Sequence, residues 1–318
     1  MIFGLLNIHK PTGRSSRWVV NAVSRITGVD KIGHAGTLDP LATGVLLMAL
    51  GPATRLIAYL QAGTKVYQAA IHLGVSTSTY DAEGEVLATA PVPDLAPGDL
   101  QHALARFVGD IEQHPPAYSA LKVAGVAAYR KARRGQTVEL PSRRVQIEQI
   151  ELLSWHSPVL TISVTCAPGT YIRSLAFDLG QALGCGAHIS GLVRTASGHF
   201  RLEDSVGLET LAAAAGAGDW QRFLLPPDQA VLDLTPVYLD EGRTQVLRHG
   251  NPVTAPTPPP LSSGRAYDPD GRLIALVTYD AKLQVWQPDR VFDAVGSHIR
   301  DRRSEIAPKG RTARRPRR

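Results

Sequence analysis

Three residue types in particular settings carry the chemistry in this chain. The first is Asp39, inside Gly33-His34-Ala35-Gly36-Thr37-Leu38-Asp39-Pro40-Leu41-Ala42-Thr43-Gly44. Pro40 biases Asp39 away from helical geometry, and the glycines on either side permit an unusual loop path. A carboxylate held this way is presented rather than buried, although Asp-Pro alone is ordinary turn chemistry. The second is Arg173, in Gly169-Thr170-Tyr171-Ile172-Arg173. A cation in the first turn of a helix opposes the helix dipole, so it calls for a partner carboxylate. The third is a basic cluster: Lys122, Arg130, Lys131, Arg133, Arg134, Arg143 and Arg144 face the single acid Glu139. With Tyr118 and Tyr129 beside them, these residues can pair phosphates and stack bases. A solvated helix face accounts for the same composition equally well.

The elements that position these groups follow from periodicity. Leu5 to Lys10 reads as a strand stopped by Pro11, after which Ser15 or Ser16 caps a helix through about Ile26. Val45-Leu46-Leu47-Met48-Ala49-Leu50-Gly51 reads as a strand buried on both faces, anchoring the Asp39 loop. Pro52 opens a helix with Leu56, Ile57 and Leu60 on its buried side. From Lys65 the period switches to two, placing Tyr67, Ala69, Ile71 and Leu73 on one face. On that ground alone Tyr67 is a core tyrosine whose hydroxyl needs a partner. Leu100, Ala103, Leu104 and Phe107 form a helical stripe closed by Gly109. Leu160, Ile162, Val164 and Cys166 alternate as a half-buried strand that runs into a helix striped by Ile172, Leu175, Ala176 and Leu179, with Thr170 as its N-cap. A strand over His188–Thr195 and a helix around Leu208–Ala215 complete the first domain, which closes at Pro226-Pro227. A small β unit then begins near Leu234, and a polar basic tail ends the chain.

Composition narrows the function classes. Hydrophobic residues make up 44% of the 318 and charged residues 19%, a globular balance sufficient for about two domains. No apolar run approaches the roughly 20 residues of a membrane span, and no signal-peptide pattern opens the chain; the expected location is cytoplasmic. Cys166 and Cys185 lack metal-ligand spacing and are expected to be reduced thiols. The net charge of +6 equals that of the last 18 residues, where eight basic residues face two acids. Whole-chain charge therefore carries no argument for nucleic acid, and only local clusters do.

The motifs occur in an order that resembles the TruB family of bacterial tRNA pseudouridine-55 synthases. They are Lys10-Pro11-x-Gly13-x-Ser15-Ser16, the Gly33 to Gly44 loop, Lys65-x-Tyr67, Pro115-Pro116-x-x-Ser119-Ala120-x-Lys122 with Gly125 and Tyr129, Gly169 to Arg173, Leu179-Gly180, and Gly184-x-Gly186-Ala187-His188. Ser78, His9 and Val66 depart from the family pattern at positions outside the proposed chemistry.

The resemblance implies an α+β pseudouridine synthase fold, with a mostly antiparallel central sheet flanked by helices over residues 1–230 and an RNA-clamping insertion at about 114–144. It implies a PUA-like RNA-binding unit over 231–297, followed by a basic tail from 298 to 318. Asp39 would be the nucleophile, Arg173 its salt-bridge partner and Tyr67 the ring that stacks on the target base. His34, Tyr171, Leu192, Lys10, Lys122, Arg130 and Arg133 would contact the substrate, a tRNA T arm. No cofactor, metal, guide RNA or protein partner is expected, and the protein would be a monomer. Three rivals stand beside this reading: an RNA-folding protein whose catalysis is secondary or lost, a guide-dependent relative, and a glycosidase pairing Asp39 with Asp81 or Asp178.

Overall fold

A computed structural model describes residues 2–116, 118, 140–255 and 257–292, and the backbone alone of 122–123 and 126–127. The side chains of Lys122, Arg130 and Arg133, most of the expected insertion and the basic tail lie outside the described residues. The chain divides into two compact units, Met1–Ala230 and Val231–Arg318. No described helix is long and apolar enough to cross a membrane.

The first unit is built on one mixed sheet. Its strands are β1 (Gly4–Lys10), β2 (Ile32–Ala35), β3 (Thr43–Leu50), β4 (Lys65–Leu73), β7 (Gly109–Gln113), β10 (Arg143–His156), β11 (Val159–Cys166), β12 (Ala187–Ser197), β13 (Phe200–Arg201) and β14 (Val206–Gly207). The short pairs β5 (Val75–Thr77) with β6 (Val86–Thr89) and β8 (Lys122–Val123) with β9 (Val126–Ala127) stand apart from it. The order is β14-β1-β3-β12-β4-β11-β10-β7, with β2 added to β3 and β13 to β12. Only β1–β14 and β3–β12 pair parallel; the rest is antiparallel, as the resemblance implies. The helices are α1 (Ser16–Thr27), α2 (Ile57–Ala62), α3 (Pro97–Ala105), α4 (Ile172–Ala182) and α5 (Leu208–Gly216).

Alternation does what it predicts in β4 and β11: every second side chain is buried, and Tyr67 lies inward with Ala69, Ile71 and Leu73. Val45 to Leu50 of β3 are all fully buried, since the strand has neighbours on both edges and helices over the sheet. Both cysteines are buried and unpaired by any disulfide.

Two cap assignments need correcting. α3 ends at Ala105 with Arg106 as its C-cap, and Gly109, at φ 100°, opens β7 instead of capping the helix. Thr170 does not cap α4: its hydroxyl donates to the Ala167 carbonyl, and Tyr171 occupies the cap position without a side-chain bond. Of the two serines offered for α1, Ser15 is the cap, accepting from the Trp18 N–H.

The second unit is a five-stranded sheet ordered β15 (Thr235–Tyr238), β17 (Ser263–Tyr267), β18 (Leu273–Asp280), β19 (Val285–Val291) and β16 (Val253–Thr254), with α6 (Glu241–Arg248). Val237, Leu247, Ile274 and Trp286 are in its core.

Candidate active site

The Asp39 loop is held from beneath by the first motif. Lys10 is fully buried, and its ammonium donates to the carbonyls of Pro11, Pro40 and Ala42 at 2.9, 3.1 and 2.6 Å. Ser16 both donates to the Leu38 carbonyl and accepts from the Leu38 N–H. The Gly13 N–H donates to the Pro40 carbonyl, and the Thr12 hydroxyl to that of Leu41. The resemblance implies a substrate contact for Lys10; in this structure its three donors serve the loop. Burial lowers its pKa to about 8, with Asp39 pulling the other way.

Above the loop lies a cavity of about 470 Å³, whose walls include Asp39, Tyr67, Tyr171, Arg173, Leu192 and Arg194. Asp39 keeps 34% of its side chain exposed to this space. Arg173, with only 5% of its side chain exposed, reaches it from α4. Nη2 donates to Asp39 Oδ1 at 3.1 Å, while Nε lies 2.9 Å from Oδ2, an ionic contact off the hydrogen-bond line. The walls desolvate the Asp39 carboxyl and push its pKa up; Arg173 pulls against that, and the nearby Asp81 adds to the rise.

Arg173 serves a second carboxylate as well. Its Nη1 lies 3.2 Å from Asp81 Oδ2 and donates to the Thr79 carbonyl, and Nη2 also donates to the Tyr118 carbonyl. Asp81 is itself buried and accepts from the Thr79 hydroxyl and the Glu83 N–H. This clamp orients the guanidinium before any substrate arrives. In sequence Asp81 stands only as a candidate sugar-cleaving acid, and nothing local in Asp81-Ala82-Glu83-Gly84 points toward Arg173, 92 positions away.

Tyr67 is nearly buried on β4, with its phenol pKa raised by burial and opposed by the neighbouring Arg194. Arg194 pairs directly across from Tyr67 in the β4–β12 register and donates to the carbonyls of Val45 and Gly36. Sequence reading missed it, although a signal exists: Arg194 falls in phase with the inward residues Leu192 and Ala196 of β12, where a charge needs a reason. Gly44, at φ 100°, is where β3 passes the Arg194 backbone, and a Cβ there would run into the Arg194 carbonyl.

Tyr171 and Leu192 line the cavity as expected of substrate contacts, while His34 does not. His34 sits half-buried on β2 opposite Met48, its Nδ1 without a partner and its pKa lowered by burial and by Arg194 and Arg17. The backbone of Tyr171 is fixed by Gln113, whose amide donates to the Tyr171 carbonyl and accepts from its N–H, much as a neighbouring strand would. The Arg143 guanidinium lies 4.4 Å from the Tyr171 ring centroid, a cation–π stack at the cavity wall. Lys65 donates to the carbonyls of Leu60, Gln61 and Gly63 at the end of α2, and burial lowers its pKa to about 8. No group of His, Cys, Asp and Glu able to hold a metal occurs among the described residues.

Comparison with known proteins gives this arrangement its class. The model of the TruB family pseudouridylate synthase N-terminal domain matches residues 24–172, and that of the tRNA pseudouridylate synthase B C-terminal domain matches 173–232. The tRNA pseudouridine synthase B of Pseudomonas aeruginosa is 43% identical over 287 residues, covering 89% of this chain and 94% of the relative. That of Xanthomonas axonopodis is 43% identical over 297 residues, 92% of this chain and 95% of the relative. Among solved structures, a chain of an H/ACA RNP bound to a substrate RNA containing 2'-deoxyuridine has a TM-score of 0.70 at 26% identity, covering 91% of this chain and 85% of that one. A chain of a Cbf5-Nop10-Gar1 complex has a TM-score of 0.70 at 27% identity, covering 92% and 85%. The fold is that of a pseudouridine synthase. The chain belongs to the TruB family of pseudouridylate synthases.

Proposed function

We propose that the chain isomerises uridine 55 in the T arm of tRNA to pseudouridine, with Asp39 as nucleophile. The observation that carries this reading is the ion pair of Asp39 with the buried, clamped Arg173 in a cavity walled by Tyr67. That tRNA is the substrate is supported by the relatives, whose name is tRNA pseudouridine synthase B. The T arm and position 55 rest on the motif resemblance.

The reaction breaks the N1–C1' bond, turns the base, joins C5 to C1', releases the C5 proton to solvent and leaves N1 with a proton in its place. Atoms and electrons balance without oxidant, reductant or phosphoryl donor, so the residues alone must supply the chemistry. An ionised Asp39 attacks C1' or C6, or takes a proton from the sugar. Desolvation works against that charge, and the Arg173 fork is what keeps it. The target base starts stacked in a folded RNA and must be flipped out, at a cost of a few kcal/mol. Tyr67 offsets part of that cost by stacking on the base, with Tyr171 and Leu192 closing the pocket. Arg194 holds Gly36 and Val45, and thereby the two sides of the Asp39 loop.

The basic segment around Lys122, Arg130 and Arg133 grips phosphates, and the second unit, PUA-like, extends the RNA contact. The protein acts as a monomer without guide RNA. Tritium release from C5-labelled uridine in tRNA tests the core of this reading: Asp39→Asn should release none above background, and activity in that variant would overturn the nucleophile assignment. Assistance to tRNA folding accompanies catalysis in this reading, and Asp39→Asn retains it.

A further inference from the structure

We infer that the outward surface at the N-terminal end of α1, formed by Arg17 and Trp18 of the helix and by Arg14 just before its cap, docks the RNA strand beside the Asp39 loop, taking phosphates on the arginines and an unpaired base on the indole. The inference rests on RNA being the substrate. Trp18 is 37% exposed, and the Arg14 guanidinium lies 4.7 Å from the centroid of its ring, a flat cationic and aromatic surface of the kind on which bases stack. Asn21 and Arg25 continue the same helix face at the next two turns, and a shallow depression runs along Trp18, Asn21, Ser24 and Arg25.

Charge singles this face out. No acid occurs between Thr12 and Val29, and Arg14, Arg17 and Arg25 have no ion-pair partner among the described residues. Arg25 suits the C-terminal end of the helix dipole, whereas Arg14 and Arg17 stand at the N-terminal end, where cations are unfavourable. An anionic polymer relieves that conflict. Place supports the same occupant: Ser16, between Ser15 and Arg17, bonds Leu38, which lines the cavity, and Gly13 bonds Pro40. Gly13 adjoins Arg14 and Pro40 adjoins Asp39, so this surface begins next to the Asp39 loop.

The test uses the full chain and a fluorescently labelled T-arm stem-loop RNA, with binding measured over a salt series and single-turnover tritium release measured at saturating RNA. Trp18→Ala should weaken binding about tenfold, by analogy with base–aromatic stacks elsewhere, and Trp18→Phe should restore most of it. Replacing Arg14 and Arg17 together by Ala should lower the slope of log affinity against log salt by about 1 to 2, with the saturated rate unchanged. Wild-type affinity and slope in these variants would overturn the inference while leaving catalysis at Asp39 standing. Failure of the unaltered protein to bind or isomerise the RNA would overturn both. Since these side chains are exposed, melting temperatures near wild type are expected; should Trp18→Ala not fold, the arginine pair decides.

Discussion

At the scale of single residues, the site works by opposing two effects on one carboxylate. Burial raises the pKa of Asp39, and Arg173 restrains the rise. The log of kcat/KM should therefore rise with pH at unit slope and then level, as Asp39 ionises. Arg173→Lys, which loses the planar fork, should shift that inflection upward and slow turnover roughly 10- to 100-fold, the scale of a lost hydrogen bond to a charged group, about 1.5–3 kcal/mol, with RNA affinity little changed; unchanged turnover would refute the role. Linkage sets a second expectation. Because the folded pKa of Asp39 lies above its unfolded value, the folded state holds the proton longer, and wild-type stability falls as pH rises through that window. Asp39→Asn removes the effect, so its melting temperature at pH 7 should equal or exceed that of wild type, and the difference should shrink as pH falls. A variant clearly less stable at pH 7 would contradict this.

At the scale of elements, the Asp39 loop is held by side chains whose hydrogen bonds are spent on its backbone. Lys10 and Ser16 fasten it from below, and the close passage of β3 and β12 at Gly44 sets its far end. Lys10→Met takes its donor from the Pro11 and Ala42 carbonyls, while Pro40 keeps the Gly13 N–H, and should destabilise the fold by about 1–3 kcal/mol, with a fall in kcat rather than a rise in KM; denaturant melts and saturation kinetics separate the two. Gly44→Ala puts a Cβ into a positive-φ site against the Arg194 carbonyl, at a strain of about 1–3 kcal/mol or more. Loss of activity should accompany it, because Arg194 also holds Gly36 and Val45. A variant of wild-type stability would show that the two strands separate freely there.

At the scale of the whole molecule, charge is local rather than global. The body before Asp301 is neutral, so the salt dependence of RNA binding must come from clusters. Affinity should fall steeply between low and physiological salt, and replacing Lys122, Arg130 and Arg133 by Ala should flatten the dependence by about 2–3 in log–log slope if each meets one phosphate. A salt-independent binding constant in the unaltered protein would exclude electrostatic gripping altogether.

The sequence by itself determined the elements and the ends of the pairing. Alternation placed Tyr67 inward, an apolar run made β3 a central strand, and a cation in the first turn of α4 announced that a carboxylate was needed. Those signals are local, set by periods of two and 3.6 residues and by the dipole of one helix. Only the tertiary structure decided that Arg173 is shared between Asp39 and Asp81, that Lys10 spends its charge on the loop, and that Gln113 fixes the backbone of Tyr171. Each of these depends on residues from distant stretches meeting at one end of the sheet. Strand order and register, which no local pattern records, bring them there.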